Sequence, residues 1–202
     1  MMRTGLILLL CWGLLSACVG GTSPQTHYYS LLPLSEGQNT SSTSSSDSEM
    51  SLGIGPLSFP DYLKRPQIVT REGEHQLILN EFQRWGAPLE KEFSAALADN
   101  LRTILHIDRV VMFPWAQFFE PTLRVVMDVE QFEGRLGGDV VLKAHWAVVN
   151  GAGKEILAVR QSSIVQAVAA PDWESLVAAQ SLATKALAEE ISREILVLSP
   201  RP

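Results

Sequence analysis

One cysteine at the end of an apolar N-terminal run is the residue best placed for chemistry, in Leu15-Ser16-Ala17-Cys18. Leucine, two small residues and cysteine form the pattern of a bacterial lipobox. In that setting the thiol takes a diacylglycerol, the Ala17–Cys18 bond is cut, and the freed Cys18 amine accepts an N-acyl chain. Arg3 supplies the positive start, and Gly5 to Leu15 has the length of a signal-peptide core. It is too short to span a bilayer, which takes ~20 apolar residues. The pattern predicts a signal peptide over 1–17 and Cys18 as a lipidated N-terminus. An ordinary secretory peptide with a chance cysteine is the competing reading. Val19 follows, where an aspartate favours retention in the inner membrane, so Val19 favours the outer membrane, on its periplasmic face.

Other chemistry is hard to assemble from these residues. His27, His75, His106 and His145 are scattered with no i,i+4 pair, so no zinc or other metal site is expected. No Gly-x-Ser-x-Gly elbow is present, and Ser162-Ser163 sits in an extended segment rather than at a strand-to-helix turn. Gly53-x-Gly55 runs straight into Pro56, which rules out a phosphate-cradling loop. Glu72 and Glu74 flank Gly73 and read as a solvated hairpin tip. Cys11 leaves with the signal peptide and Cys18 is consumed by lipid, so the mature chain has no thiol for redox chemistry. The expectation is a protein that is not an enzyme and has no cofactor beyond the covalent lipid on Cys18.

Charge narrows the partners. The formal net charge is −6 in 202 residues, and loss of Arg3 makes the mature chain one unit more acidic. Without a basic block the chain is a poor ligand for nucleic acid, and acyl chains rather than charge must hold it on a membrane.

The positioning elements follow from periodicity. Residues 18–26 are small and polar, a tether spanning at most about 30 Å to His27 at ~3.3–3.6 Å per residue. One domain is expected over 27–199. Its first strand is Tyr28 to Leu32, followed by a Ser-rich loop over 35–49 that has nothing to bury. Leu52 to Leu57 reads as a strand whose glycines and Pro56 suggest a sheet edge or a bulge. Pro66 to Arg71 and His75 to Leu79 form a hairpin around Gly73. Leu89, Phe93, Leu97, Leu101 and Leu105 recur every four residues and predict a helix. After a short Val110–Phe113 run, alternation marks three strands, around Leu123–Val129, Val140–Val148 and Ile156–Val168. A second helix is predicted over 172–197. The fold class is α+β: a two-layer domain with a mostly antiparallel sheet packed against two long amphipathic helices.

One constellation suits recognition rather than catalysis. Tyr62-Leu63-Lys64-Arg65-Pro66-Gln67 precedes a strand and Arg84-Trp85 ends one. Tyrosine, tryptophan and arginine combine large contact area with a directional polar tip. Tyr62, Leu63, Arg65, Pro66, Gln67, Arg84 and Trp85 are thus candidates for partner contact or self-assembly. The alternative is structural: Trp85 closing the core edge and Arg65 paired with Asp61.

Tyr28-Tyr29-Ser30-Leu31, the run Pro60 to Val69, Arg84-Trp85-Gly86-Ala87-Pro88-Leu89, Pro114-Trp115, Ala179-Gln180-Ser181 and Glu190-Ile191, in this order behind a lipobox, resemble the ABC-type transport auxiliary lipoproteins. The resemblance spans about Tyr28 to Leu198. It implies a non-catalytic outer-membrane lipoprotein of an intermembrane lipid-transport system. Such a protein supports membrane integrity and assembles in a homo-oligomeric ring that docks the distal end of an MCE-domain (mammalian cell entry) tunnel protein. Two other roles stay open from the residues alone: a substrate-binding or accessory module of another ABC transporter, and an outer-membrane activator of a cell-wall enzyme.

Overall fold

The computed structural model describes residues 24–33, 50–116 and 119–198. Cys18, the lipobox and the Ser-rich stretch 35–49 lie outside them.

The strands are β1 (His27–Tyr29), β2 (Leu52–Ser58), β3 (Gln67–Glu72), β4 (Gln76–Trp85), β5 (Val110–Met112), β6 (Leu123–Gly134), β7 (Asp139–Asn150) and β8 (Ile156–Ala167). Two helices, α1 (Leu89–Leu105) and α2 (Trp173–Leu198), pack on each other and on one face of the sheet. The domain is thus the expected α+β arrangement. The long ladders β6–β7, β7–β8 and β3–β4 are antiparallel.

Alternation explains why β6 to β8 lie as they do. Leu123, Val125, Met127 and Val129 on β6, Val140, Leu142, Ala144 and Trp146 on β7, and Ala158, Ser162 and Ile164 on β8 are buried against the helices. The predicted α1 stripe, Leu89, Phe93, Leu97, Leu101 and Leu105, is buried along its whole length. Phe93 sits at the middle of an aromatic stack, edge-on to Phe59 at 5.4 Å and to Phe132 at 5.2 Å. Asp172 caps α2, its Oδ1 accepting from the Ser175 N–H at 2.7 Å.

Two expectations are corrected. β2 is not a sheet edge: it runs parallel between β5 and β6, with its register shift between Ile54 and Leu57. Its glycines serve the segment that folds over it. A Cβ on Gly53 would lie 2.8 Å from Pro121 Cγ and 3.0 Å from the Trp115 ring, and Gly55, at φ +118°, would meet Phe113 Cβ at 2.7 Å. The first strand is also shorter than expected. β1 pairs in parallel with the end of β4 over three residues, His27 with Gln83 through Tyr29 with Trp85.

α1 ends without glycine. His106 takes the left-handed conformation (φ 49°, ψ 48°) that closes the helix. A side chain there costs about 1–2 kcal/mol, while glycine gives back part of that gain as unfolded-state entropy. His106→Gly is expected to raise stability by about 0.5–1 kcal/mol, read as a higher denaturation midpoint at unchanged m-value.

Candidate docking surface

A short 3-10 turn, Asp61–Leu63, carries the chain from β2 towards β3. Its Leu63 N–H donates to Pro60 O at 2.9 Å. The register of the β3–β4 hairpin then brings the residues after this turn beside the end of β4: Gln67 is opposite Arg84, and the Trp85 N–H donates to Pro66 O at 2.8 Å. Immediately after β4, Pro88 opens α1. The two sequence clusters therefore meet in space.

Between them lies a groove of about 380 Å³ lined by Phe59, Leu63, Arg65, Pro66, Trp85 and Leu89, with Lys64 and Glu90 on its rim. Leu63 and Trp85 are 3% and 4% exposed, so they form floor and wall and anchor the core at the same time. Arg65 is exposed and has no hydrogen bond or ion pair among the described residues. Its expected local partner is taken by its neighbour, since Lys64 Nζ binds Asp61 Oδ1 at 2.9 Å. That hydrogen bond, followed by the Lys64 charge, holds the Asp61 carboxyl below its ordinary range.

The other candidates have different duties. Gln67 Nε2 donates to the Glu81 carboxylate at 3.1 Å, and Arg84 Nε to the Glu81 backbone oxygen at 2.9 Å, bracing the hairpin outside the groove. Tyr62 turns away altogether. Its hydroxyl donates to Glu133 Oε2 at 2.9 Å.

Glu133 was not among the sequence candidates. Its side chain is fully buried, and Oε1 accepts from Arg71 Nε at 2.8 Å, Arg71 Nη2 at 2.5 Å and Gln131 Nε2 at 3.1 Å. Burial, followed by the Glu133 charge and hydrogen bond, lifts the Tyr62 hydroxyl well above its ordinary 10.0. A group whose folded pKa is raised favours the folded state below its unfolded pKa. Here that contribution is complete below pH 10.0 and is lost as pH rises towards the folded pKa. The sequence signal was the break in alternation at Glu130-Gln131, where β6 shifts register against β7 and swings Glu133 inward.

The histidines do not converge. His145 Nε2 lies 3.1 Å from Glu130 Oε1 on the exposed face of the sheet, and no cluster fit to hold a metal ion occurs among the described residues. What the surface offers is shape, an apolar floor and a free cation, the means of a binding face.

Comparison with known proteins agrees with this geometry. Over 142 residues, 70% of this chain and 72% of its relative, the sequence is 28% identical to "Intermembrane transport lipoprotein PqiC" of Escherichia coli K12. The protein of the same name from Shigella flexneri matches equally. A crystal structure of an uncharacterized protein superimposes with a TM-score of 0.69 at 19% identity, covering 85% of this chain and 99% of that one. A protein from Xanthomonas campestris gives 0.62 at 15% identity over 73% and 84%. These two likenesses establish the fold. Residues 29–192, from β1 into α2, match the family profile described as the ABC-type transport auxiliary lipoprotein component, and the chain belongs to that family.

Proposed function

We propose that the chain is a non-catalytic docking subunit of an intermembrane lipid-transport system, anchored through lipid on Cys18 to the periplasmic face of the outer membrane. There it seats the distal end of an MCE-domain tunnel protein and supports membrane integrity, with several copies arranged in a homo-oligomeric ring. The observation that carries this reading is the groove between Leu63, Pro66 and Trp85 with unpaired Arg65 at its rim, in a chain whose relative is named as an intermembrane transport lipoprotein. Apolar walls give contact area, and a free guanidinium gives orientation towards an acidic or carbonyl-rich partner. A lipid leaving a tunnel must not meet water, so the tunnel end needs a fixed seat at the receiving bilayer.

Arg65→Glu tests this cleanly, because the side chain is exposed and holds nothing in the fold. Crosslinking pull-down from intact envelopes is expected to lose the MCE-domain protein by about ten-fold, since reversing a contact charge opposes docking. The melting midpoint of the variant stays within about 2 °C of the wild type, as for other surface changes. Unchanged capture removes the groove from the interface. Wild-type capture of a solute transporter or a cell-wall synthase in place of an MCE-domain protein overturns the function.

A further inference from the structure

Natural sheets guard their outer strands with lysine, proline, bulges or short length. β8 has none of these over its central stretch. It is paired with β7 on one side, and no second strand joins it among the described residues. From Ala158 opposite Val148 to Ala167 opposite Asp139 its register runs without a shift. Its twelve residues contain no lysine, proline or glycine. Its one charge, Arg160, is drawn back onto α2, with Nη2 2.8 Å from Glu194 Oε1 and Nε 3.1 Å from Glu194 Oε2. On the face away from the helices it presents Val159, Gln161, Ser163 and Val165, with the two valines 58% and 61% exposed.

That order reads nearly the same in both directions. We propose that β8 is a self-association edge, to which a second copy of the chain adds its own β8, antiparallel, about a two-fold axis at Ser162. In this register Val159 faces Val165 of the partner subunit and Gln161 faces Ser163 of the partner subunit. Arg160 faces Ile164 of the partner subunit, so no charge opposes a like charge. Moving the axis to Gln161 or Ser163 sets Val159 against serine or alanine and separates the valines. A second copy suits this edge better than an unrelated strand because an isologous contact requires such self-complementarity. The contact joins copies in pairs and is separate from the groove at Arg65, so its test is independent of the docking role.

Residues directly opposite in an antiparallel pair lie about 4.5–5.5 Å apart at Cα, within disulfide reach, whereas Val159 and its own copy are separated by about 20 Å along the strand. Full-length Val159→Cys and Val165→Cys chains, purified in detergent and oxidised separately or mixed, are expected to give about ten-fold more linked dimer in the mixture than in either alone. The wild-type chain, carrying Cys11 and Cys18, sets the baseline. Linkage that is equal in the single variants, or absent from the mixture, overturns the register. Independently, Val159→Lys/Val165→Lys is expected to halve the assembly mass in light scattering with the melting midpoint retained. An unchanged mass overturns the interface.

Discussion

Cys18→Ser is expected to leave the precursor uncut and without lipid, shifting it from outer-membrane fractions and raising its mass by the signal peptide while removing that of the acyl chains. The effect is large because the anchor is cumulative. Each buried CH₂ contributes ~0.8 kcal/mol, so one chain holds a protein marginally and two or more hold it firmly. Serine offers no thiol for the diacylglycerol, and without that modification the Ala17–Cys18 bond is not cut. Labelled palmitate uptake, intact mass and density-gradient fractionation read the three consequences separately. The domain should melt as before, since Cys18 precedes β1 by nine positions. A variant that still resides in the outer membrane would remove the anchor from the proposal.

Glu133→Ala carries the largest expected loss of stability, about 3 kcal/mol, as for breaking a buried ion pair from one side. For a domain of this size that is roughly 6–12 °C in melting midpoint. The carboxylate is the meeting point of β6, β3 and the 3-10 turn, through Arg71 on β3 and Tyr62 in the turn. Beyond it, β3 touches β6 through only one register pair, Thr70 with Gly134. Alanine would strand the Arg71 and Tyr62 donors and loosen the hairpin that forms one wall of the groove. Replacing both charges, in Glu133→Met/Arg71→Met, should recover most of the loss, because an apolar pair strands no donor on that side. A double variant no more stable than Glu133→Ala would show that Glu133 acts through something other than this pair.

The helices were readable because α1 buries one stripe against a single layer, which fixes a four-residue repeat of large apolar side chains. β6 to β8 were readable because only one face of each is dry. β2 was misplaced for the opposite reason: Trp115, Pro121 and Phe113 cover it, and the glycines that admit them look in sequence like signs of an edge. Parallel pairing with β5 and β6 leaves no local trace, because the partners are remote in the chain. At the groove, Leu63, Arg65, Pro66 and Trp85 could be singled out by residue type, and hairpin register brings them together. Tyr62 shares that residue-type signature yet points to Glu133, since the facing of a residue in a turn is set by what is buried beneath it. Pro88 and Leu89 look like ordinary helix-start residues, and their part in the groove depends on where α1 begins relative to β4.

An anchored subunit that seats a long partner is also pulled. Tension from the membrane would enter through residue 24 and run along β1, whose three pairs with β4 are parallel. Directly behind them the Gly86 N–H binds Tyr29 O at 2.8 Å, Ser30 Oγ binds Glu92 Oε2 at 2.5 Å, and the Leu32 N–H binds Ser181 Oγ at 3.2 Å. A force along the strand axis loads these bonds side by side, in shear, and none can be peeled before its neighbours. The short first strand is then a mechanical clasp, which spreads load from the bilayer into β4 and both helices before it reaches the groove.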